Sequence, residues 1–506
     1  MPKSQTKRPA HLDLAELYNA ILKDYVAMYP ADHLEATRDS KRLALELRSR
    51  GQAFFTLDLP AIGKALDASL SGGRLAFFRL PGMAGRFKGS PVPRLFWGLW
   101  NRLFDRSGTL REDIDPNAVL MLRTLLYACK KLNVDCKPKR LYETVKEYFD
   151  VDNSLPQALS PLLWDGDAPD GYSVPRHDLV RSFGSQRYFW YHDCPNSRDD
   201  VLGVRIDQQG VSPPKGGVLG PVACDEVLAH IQRIAGRVGG SLGFFDPDSL
   251  QGKHGPGAVS EQLAGRNKYS FPSWSARLEE LFPWDYHGVT TVDNYLQDSL
   301  PINEMLPRFE EAASKLCAVP KTQKAPRLIA SEPVANQWIQ QGIAAELVER
   351  VSHSILRHSI NFFDQNPSRD DALNASRHGR RATIDLSSAS DRLSLRLVEC
   401  IFSSNISLLK VIAASRTRFV RNPLDKKMPS LLRLNKFASM GSALTFPLQS
   451  IVFATICLGV GSYLHRDRRI ASLAREVRVF GDDIIVPVDW VPLLRVVLSQ
   501  LGLKVN

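Results

Sequence analysis

Arg475-Glu-Val-Arg-Val-Phe-Gly-Asp-Asp-Ile-Ile-Val-Pro-Val488 is the stretch on which the fold class turns. Val477 and Val479 lie on one side of Gly481-Asp482-Asp483, and Ile484, Ile485 and Val486 lie on the other. Two β-rich runs around a short acidic turn predict a β-hairpin. Adjacent carboxylates at a hairpin tip repel each other and call for a cation. Mg²⁺ suits them, because it takes hard oxygen ligands and keeps waters and substrate phosphates in its shell. A Gly-Asp-Asp tripeptide carries little weight alone. The flanking strands and a third acid upstream give it meaning.

That third acid lies about a hundred residues earlier, in Arg381-Ala-Thr-Ile-Asp-Leu-Ser-Ser-Ala-Ser-Asp-Arg-Leu-Ser394. Ala382–Leu386 reads as a short strand. Ser387, Ser388 and Ser390 read as a helix start, with Leu393, Leu395 and Leu397 following. Asp385 then sits at a strand's end, where a carboxylate can hold a metal at a crevice. Asp391 falls in the first turn of the expected helix, and by itself it is an ordinary first-turn acid favoured by the helix dipole.

Between these acids runs Ala438-Ser-Met-Gly-Ser-Ala-Leu-Thr-Phe-Pro-Leu-Gln-Ser450. Gly441, with Ser439 and Ser442 beside it, suits a flexible loop that opens a helix and offers backbone N–H groups to a template or nucleotide. Thr445 and Gln449 are four apart and share a helical face. Further upstream, Val319-Pro-Lys-Thr-Gln-Lys-Ala-Pro-Arg-Leu-Ile-Ala-Ser-Glu332 repeats a cation every third residue, at Lys321, Lys324 and Arg327. Pro320 and Pro326 favour an extended or turning backbone. Cations so held suit triphosphate or phosphodiester, Arg gripping oxygens bidentately and Lys acting as a point charge. Read singly, the third segment is a polar helix start and the basic one an exposed loop.

In combination the four segments predict two-metal phosphoryl transfer. Asp385 and Asp482 would bridge two Mg²⁺ ions, or Mn²⁺ in their place, with Asp483 as a weaker or outer ligand. One ion would activate a primer 3′-hydroxyl and the other would arrive with the nucleoside triphosphate. Lys321, Lys324 and Arg327 would neutralise the triphosphate.

Composition agrees. The 506 residues suffice for two or three domains with a large core, and the 44% hydrophobic and 24% charged content is that of a globular chain. A net charge of +11 favours an anionic partner such as nucleic acid. Seven scattered cysteines without a CxxC pair point to free thiols in a reducing cytosol. The basic N-terminus has no apolar signal core after it. Phe437–Leu464 lacks charge, but its first half carries Ser439, Ser442, Thr445, Pro447, Gln449 and Ser450, so a buried core helix is expected rather than a membrane span. Helical periodicity is expected over 11–70, Asp115–Lys131, Lys139–Phe149, Asp225–Val238 and Trp490–Leu501, with irregular chain over 71–100 and loops or short strands over 155–221. The first half offers no catalytic constellation, and Lys137-Pro-Lys-Arg140 reads as solvated surface.

The order of these segments resembles motifs F, A, B and C of right-handed viral RNA polymerases. The wording is closer still to the replicase catalytic subunit of single-stranded RNA bacteriophages, the leviviruses. The strings that carry the resemblance are Val319-Pro-Lys321, Arg327-Leu-Ile-Ala-Ser-Glu-Pro333, Asp385-Leu-Ser-Ser-Ala-Ser-Asp391, Ser439-Met-Gly441 with Thr445-Phe446, and Phe480-Gly-Asp-Asp-Ile-Ile485, joined by a glycine loop at His254-Gly-Pro-Gly-Ala258. They cover roughly residues 250–506.

The resemblance implies an α+β right-hand polymerase fold with fingers and an RRM-like antiparallel palm sheet. Residues 1–250 would form an N-terminal region and fingers, 251–380 fingers including the basic segment, and 381–506 the palm. It implies metal binding by Asp385, Asp482 and Asp483. Asp391 would read the ribose 2′-hydroxyl with help from Ser439, Gly441, Thr445 and Gln449, and Lys321, Lys324 and Arg327 would bind nucleotide or RNA. Gln449 stands where many relatives carry Asn, and Phe480 where Tyr is more familiar. The implied activity is RNA-directed RNA synthesis on a positive-strand phage genome in the cytoplasm of a bacterial host. Its partners would be an RNA template and nascent strand, ribonucleoside triphosphates and host translation elongation factors, with no membrane. The chain stops soon after the acidic hairpin, where the family continues through the rest of motif D, motif E and a thumb. The expectation is a partial coding sequence whose thumb is missing. Two other readings stay open: a reverse transcriptase, and a truncated, non-catalytic RNA-binding polymerase fold. Asp391 separates the first of these, since DNA synthesis usually wants a bulky residue that excludes the 2′-hydroxyl.

Overall fold

The computed structural model describes residues 13–75, 90–132, 134–166, 174–184, 188–189, 222–261, 268–269, 271–288 and 307–506. Much of the stretches expected to be irregular, 71–100 and 155–221, lies outside the described residues. The chain divides into two compact units.

The first unit holds residues 1–141 together with 320–327. Its helices are Leu14–Met28, His33–Arg50, Leu59–Gly72, Trp97–Leu103 and Pro116–Tyr127. The continuous helical pattern over 11–70 therefore resolves into three helices with a π-turn, Phe54–Asp58, before the third. Each boundary has a local cause. Asp13 accepts the free N–H groups of Ala15 and Glu16, and Asp115 accepts those of Asn117 and Ala118 with Pro116 at the first helical position. The core gathers Tyr18, Tyr25, Phe54, Phe55, Trp100, Phe104 and Leu125. The buried Tyr18 hydroxyl donates to the Leu125 carbonyl at 3.0 Å, which meets the requirement that a buried polar group be paired. Asp39 is also buried there. It accepts the Phe96 N–H at 3.1 Å and Arg42 at 2.7 Å.

The second unit is built around the Thr445–Leu464 helix, which is buried on every side over most of its length. It packs against Cys224–Leu242 so closely that a Cβ on Gly459 would lie 2.5 Å from the Ile231 Cα, while Gly461 leaves room for the Trp490 ring. Its most apolar window is 83% buried, which makes it a core helix. Three antiparallel strands lie beside it: Arg381–Ile384, Asp483–Pro487 and Arg478–Phe480, with Asp483–Pro487 in the middle. A second sheet joins Ala325–Ser331, Ser314–Thr322, Phe419–Arg421 and Leu431–Arg433. Its first two strands form a hairpin with a turn at Gln323–Lys324, as the two prolines allow. The architecture is mixed α+β.

One local expectation is corrected. The serines after Asp385 do not start a helix. Leu386–Ser387 pairs antiparallel with Lys504–Val505, Ser388 takes a left-handed φ of 51°, and Ser390–Arg392 forms a single 3₁₀ turn. The helix begins later, at Leu395, where Ser394 caps it by accepting the Leu397 N–H. Asp391 is thus held in a turn and not on a regular helix.

Candidate active site

Register sets the acidic groups side by side. Ile384 pairs with Ile484 and Phe480 with Asp483, so Asp385 leaves its strand at the end of the sheet where Asp482 and Asp483 form the turn. All three aspartates are exposed. Partial burial, then Asp482 and Asp385, push the Asp483 carboxyl above the usual range, as like charges at a shared site must. The three acids share one sheet end without converging: among the described residues, no three His, Cys, Asp or Glu side chains come together tightly enough to hold a metal. Asp385 Oδ2 accepts the Asn506 side-chain amide at 2.5 Å, and Gln365 Nε2 stands 3.5 Å from Asp483 Oδ2. Both neighbours are amides, which leave the negative charge uncompensated.

The turn itself is braced from below. Gly481 has φ +66° and donates its N–H to Ser450 Oγ at 3.0 Å. A Cβ there would lie 2.9 Å from the Phe446 ring and 3.2 Å from Gln449 Nε2, so the buried Gln449 reaches the acidic turn while its Oε1 has no partner. Phe480 packs its ring against Phe446 at 4.9 Å, which gives the hairpin an apolar base.

The Ser-Met-Gly loop is strapped to the sheet. Met440 O accepts the Ala330 N–H at 2.7 Å, and Gly441 (φ 132°) passes so close that a Cβ would sit 1.9 Å from the Ala330 carbonyl oxygen. Ser439 and Thr445 are buried and bond within the protein: Thr445 Oγ1 donates to Ser439 O at 2.9 Å, and Ser439 Oγ meets the Tyr148 hydroxyl at 2.5 Å. They shape the loop from inside. Ser442 Oγ donates to Gln340 Oε1, and Gln340 Nε2 in turn donates to Glu332. Glu332 is fully enclosed, and burial raises its carboxyl despite the hydrogen bonds from Thr417 and Gln340.

Asp391 has a partner that its sequence setting did not disclose. Lys436 Nζ donates to Asp391 Oδ1 at 3.0 Å. Lys436, Tyr148 and Asp152 contribute to this corner, and residue spacing could not have found them: Asp152 and Lys436 are 284 residues apart. The nearest signal was Lys436 itself, a cation three residues before Ser439. Lys321, Lys324 and Arg327 are all exposed. They sit on the turn end of the hairpin, which belongs to the first unit, where Thr56 donates to Gln323.

Residues 297–506 match the family model described as RNA replicase, beta-chain. The matched stretch is less than half of the chain. The chain is 35% identical over 193 residues to the RNA-directed RNA polymerase subunit beta of Escherichia virus Qbeta, covering 38% of this chain and 30% of that protein. It is 33% identical over 195 residues to the RNA-directed RNA polymerase beta chain of Enterobacteria phage GA, covering 38% and 32%. It is 31% identical over 188 residues to that of Escherichia phage MS2, covering 37% and 31%. The match thus spans about a third of the length of these relatives. Every candidate site residue lies inside the matched segment 297–506, whereas the helical first unit, apart from 320–327, lies outside it.

Proposed function

We propose that the chain is the catalytic part of an RNA-directed RNA polymerase that copies a positive-strand phage genome. The observation that carries this reading is the placement of Asp385 beside Asp482 and Asp483 at one end of an antiparallel sheet, inside a segment of replicase type. On the same reading residues 381–506 are the palm, and the hairpin bearing Lys321, Lys324 and Arg327 belongs to the fingers.

The carboxylates suit divalent cations. They are exposed, they are oxygen donors, and burial followed by the charges of Asp482 and Asp385 raises Asp483, with no cation among the described residues offsetting it. Asp385 and Asp482 would hold Mg²⁺, with Asp483 as an outer ligand, and the ions would supply charge stabilisation at the transferring phosphoryl group. The remaining work belongs to side chains. Asp391 accepts a hydrogen bond from the ribose 2′-hydroxyl. Gln449, with a free Oε1 and an amide at the turn, helps to seat the nucleotide. Lys321, Lys324 and Arg327 offer exposed cations to phosphate. The relatives' names, subunit beta and beta chain, describe one part of an assembly, so further subunits from the bacterial cytoplasm are part of the proposal.

Template-directed extension of an RNA primer, with ribonucleotides and deoxyribonucleotides supplied separately, tests the reading. Ribonucleotide incorporation that requires Mg²⁺ is expected. Preference for deoxyribonucleotides would turn the assignment to a reverse transcriptase. RNA binding without incorporation of either would leave a non-catalytic binding fold.

A further inference from the structure

Lys436 is a completely buried cation, with no exposed side-chain surface, and the Asp152 carboxylate beside it is equally buried. Removing an ammonium group from water costs several kcal/mol, roughly, even after relaxation, so its contacts have to be specific. Four surround it. The Asp391 Oδ1 atom lies at 3.0 Å, Asp152 Oδ1 at 3.9 Å and the Tyr148 ring centroid at 3.4 Å. The fourth constraint acts on its backbone: Asp152 accepts the N–H groups of Asn435 at 2.9 Å and Lys436 at 3.0 Å.

These contacts are unequal. The Asp152 carboxylate is committed to the two backbone amides and stands beyond hydrogen-bond range of Nζ. The direct charge-assisted bond goes to Asp391, the one member of the group that keeps a quarter of its side chain exposed. A purely structural ion pair would close on Asp152, which is nearest in burial. Here the lysine is instead aimed at the acid that opens toward the site. Burial pulls Lys436 down, but Tyr148, Asp391 and Asp152 outweigh it and keep the ammonium charged. The corner also reaches the Ser-Met-Gly loop, because the Tyr148 hydroxyl bonds Ser439 Oγ.

We propose that Lys436 is a positioning residue for ribose selection: by binding Oδ1 of Asp391 it fixes that carboxylate so that Oδ2 is presented to the 2′-hydroxyl, with Tyr148 tying the same corner to the Ser439 loop. The proposal rests on the reading of Asp391 as the ribose-sensing acid.

The measurement is the ratio of kcat/KM for GTP to that for dGTP, in template-directed incorporation by the full chain with Mg²⁺. It is made for Asp391→Ala, Lys436→Met, the double variant and Lys436→Arg, with thermal melting alongside. Losing one charge-assisted hydrogen bond predicts a fall of about tenfold in the ratio for Lys436→Met, expressed as a higher KM for GTP. Because the lysine acts through Asp391, the double variant is expected to be no worse than Asp391→Ala. A parental ratio in Lys436→Met, or a double variant whose losses multiply, overturns the proposal while leaving Asp391 in its role. A parental ratio in Asp391→Ala overturns the reading of Asp391 itself, and the lysine's role with it. If Lys436→Met does not fold, Lys436→Arg decides. It keeps the buried charge but cannot place a single nitrogen both over the Tyr148 ring and on Oδ1, so an unchanged ratio there also overturns the proposal.

Discussion

Asp482 lies in the acidic turn, is exposed, and has no ion-pair partner among the described residues. If it holds a metal, Asp482→Asn removes charge at the point where phosphoryl transfer needs it. Incorporation is expected to drop by a factor on the order of 10²–10³ or more, while RNA affinity in a filter-binding assay stays near the parental value. Unchanged incorporation would refute the metal role. A second acid tests burial instead of chemistry. Burial raises Asp39 to about 6, against the opposing pull of Arg42 and the Phe96 N–H. A carboxyl raised on folding stabilises fully below its unfolded value of 3.8, and that contribution is lost as pH rises through about 6. The first unit should lose up to roughly 3 kcal/mol between pH 4 and 7, and Asp39→Asn should flatten that dependence in denaturant titrations at a series of pH values. At this scale the sequence was informative where charge stood next to charge. Asp482 and Asp483 announce themselves, whereas Asp39 reads as one more acid on an amphipathic helix, because its burial depends on Phe96 and Arg42 arriving together.

The Ser-Met-Gly loop shows what an element demands. Gly441 combines φ 132° with a backbone oxygen 1.9 Å from any Cβ, so Gly441→Ala must tear the loop from Ala330. A loss on the order of 3–5 kcal/mol is expected by thermal melting. Gly379→Ala makes the control: φ is +64° but nothing lies within 4 Å, so only the left-handed strain of about 1 kcal/mol should appear. Equal losses would show that the close approach to Ala330 does not matter. Elements set by local pattern were legible beforehand, including the acidic hairpin, the extended basic segment between its prolines and the long apolar helix. The helix expected after Asp385 was not. Leu386–Ser387 is claimed by Lys504–Val505, and pairing at such a separation overrides the helix-start preference of serine.

For the whole molecule, the net charge of +11 predicts that single-stranded RNA affinity falls steeply with salt. Replacing Lys321, Lys324 and Arg327 together by Ala should weaken binding and flatten the log–log salt slope by about 2, at roughly 0.7 for each phosphate no longer neutralised. An unchanged slope would mean that the three cations do not touch RNA. At this scale charge raised the expectation of an anionic ligand from composition alone. The corner formed by Asp152, Lys436 and Asp391 was beyond reach, since its members come from remote parts of the chain.

The central pairing of Ile384 with Ile484 also has a temporal side. A ribosome adding about 5–20 residues per second delivers the second strand some 5–20 seconds after the first. Through that interval Arg381–Ile384 waits with its partner unmade, and an unpaired strand edge is an invitation to the wrong neighbour. The Asn366–His378 helix, complete just before that strand, packs against it in the final fold. The acids at 385 and at 482–483 are therefore brought together only after residue 487 has emerged.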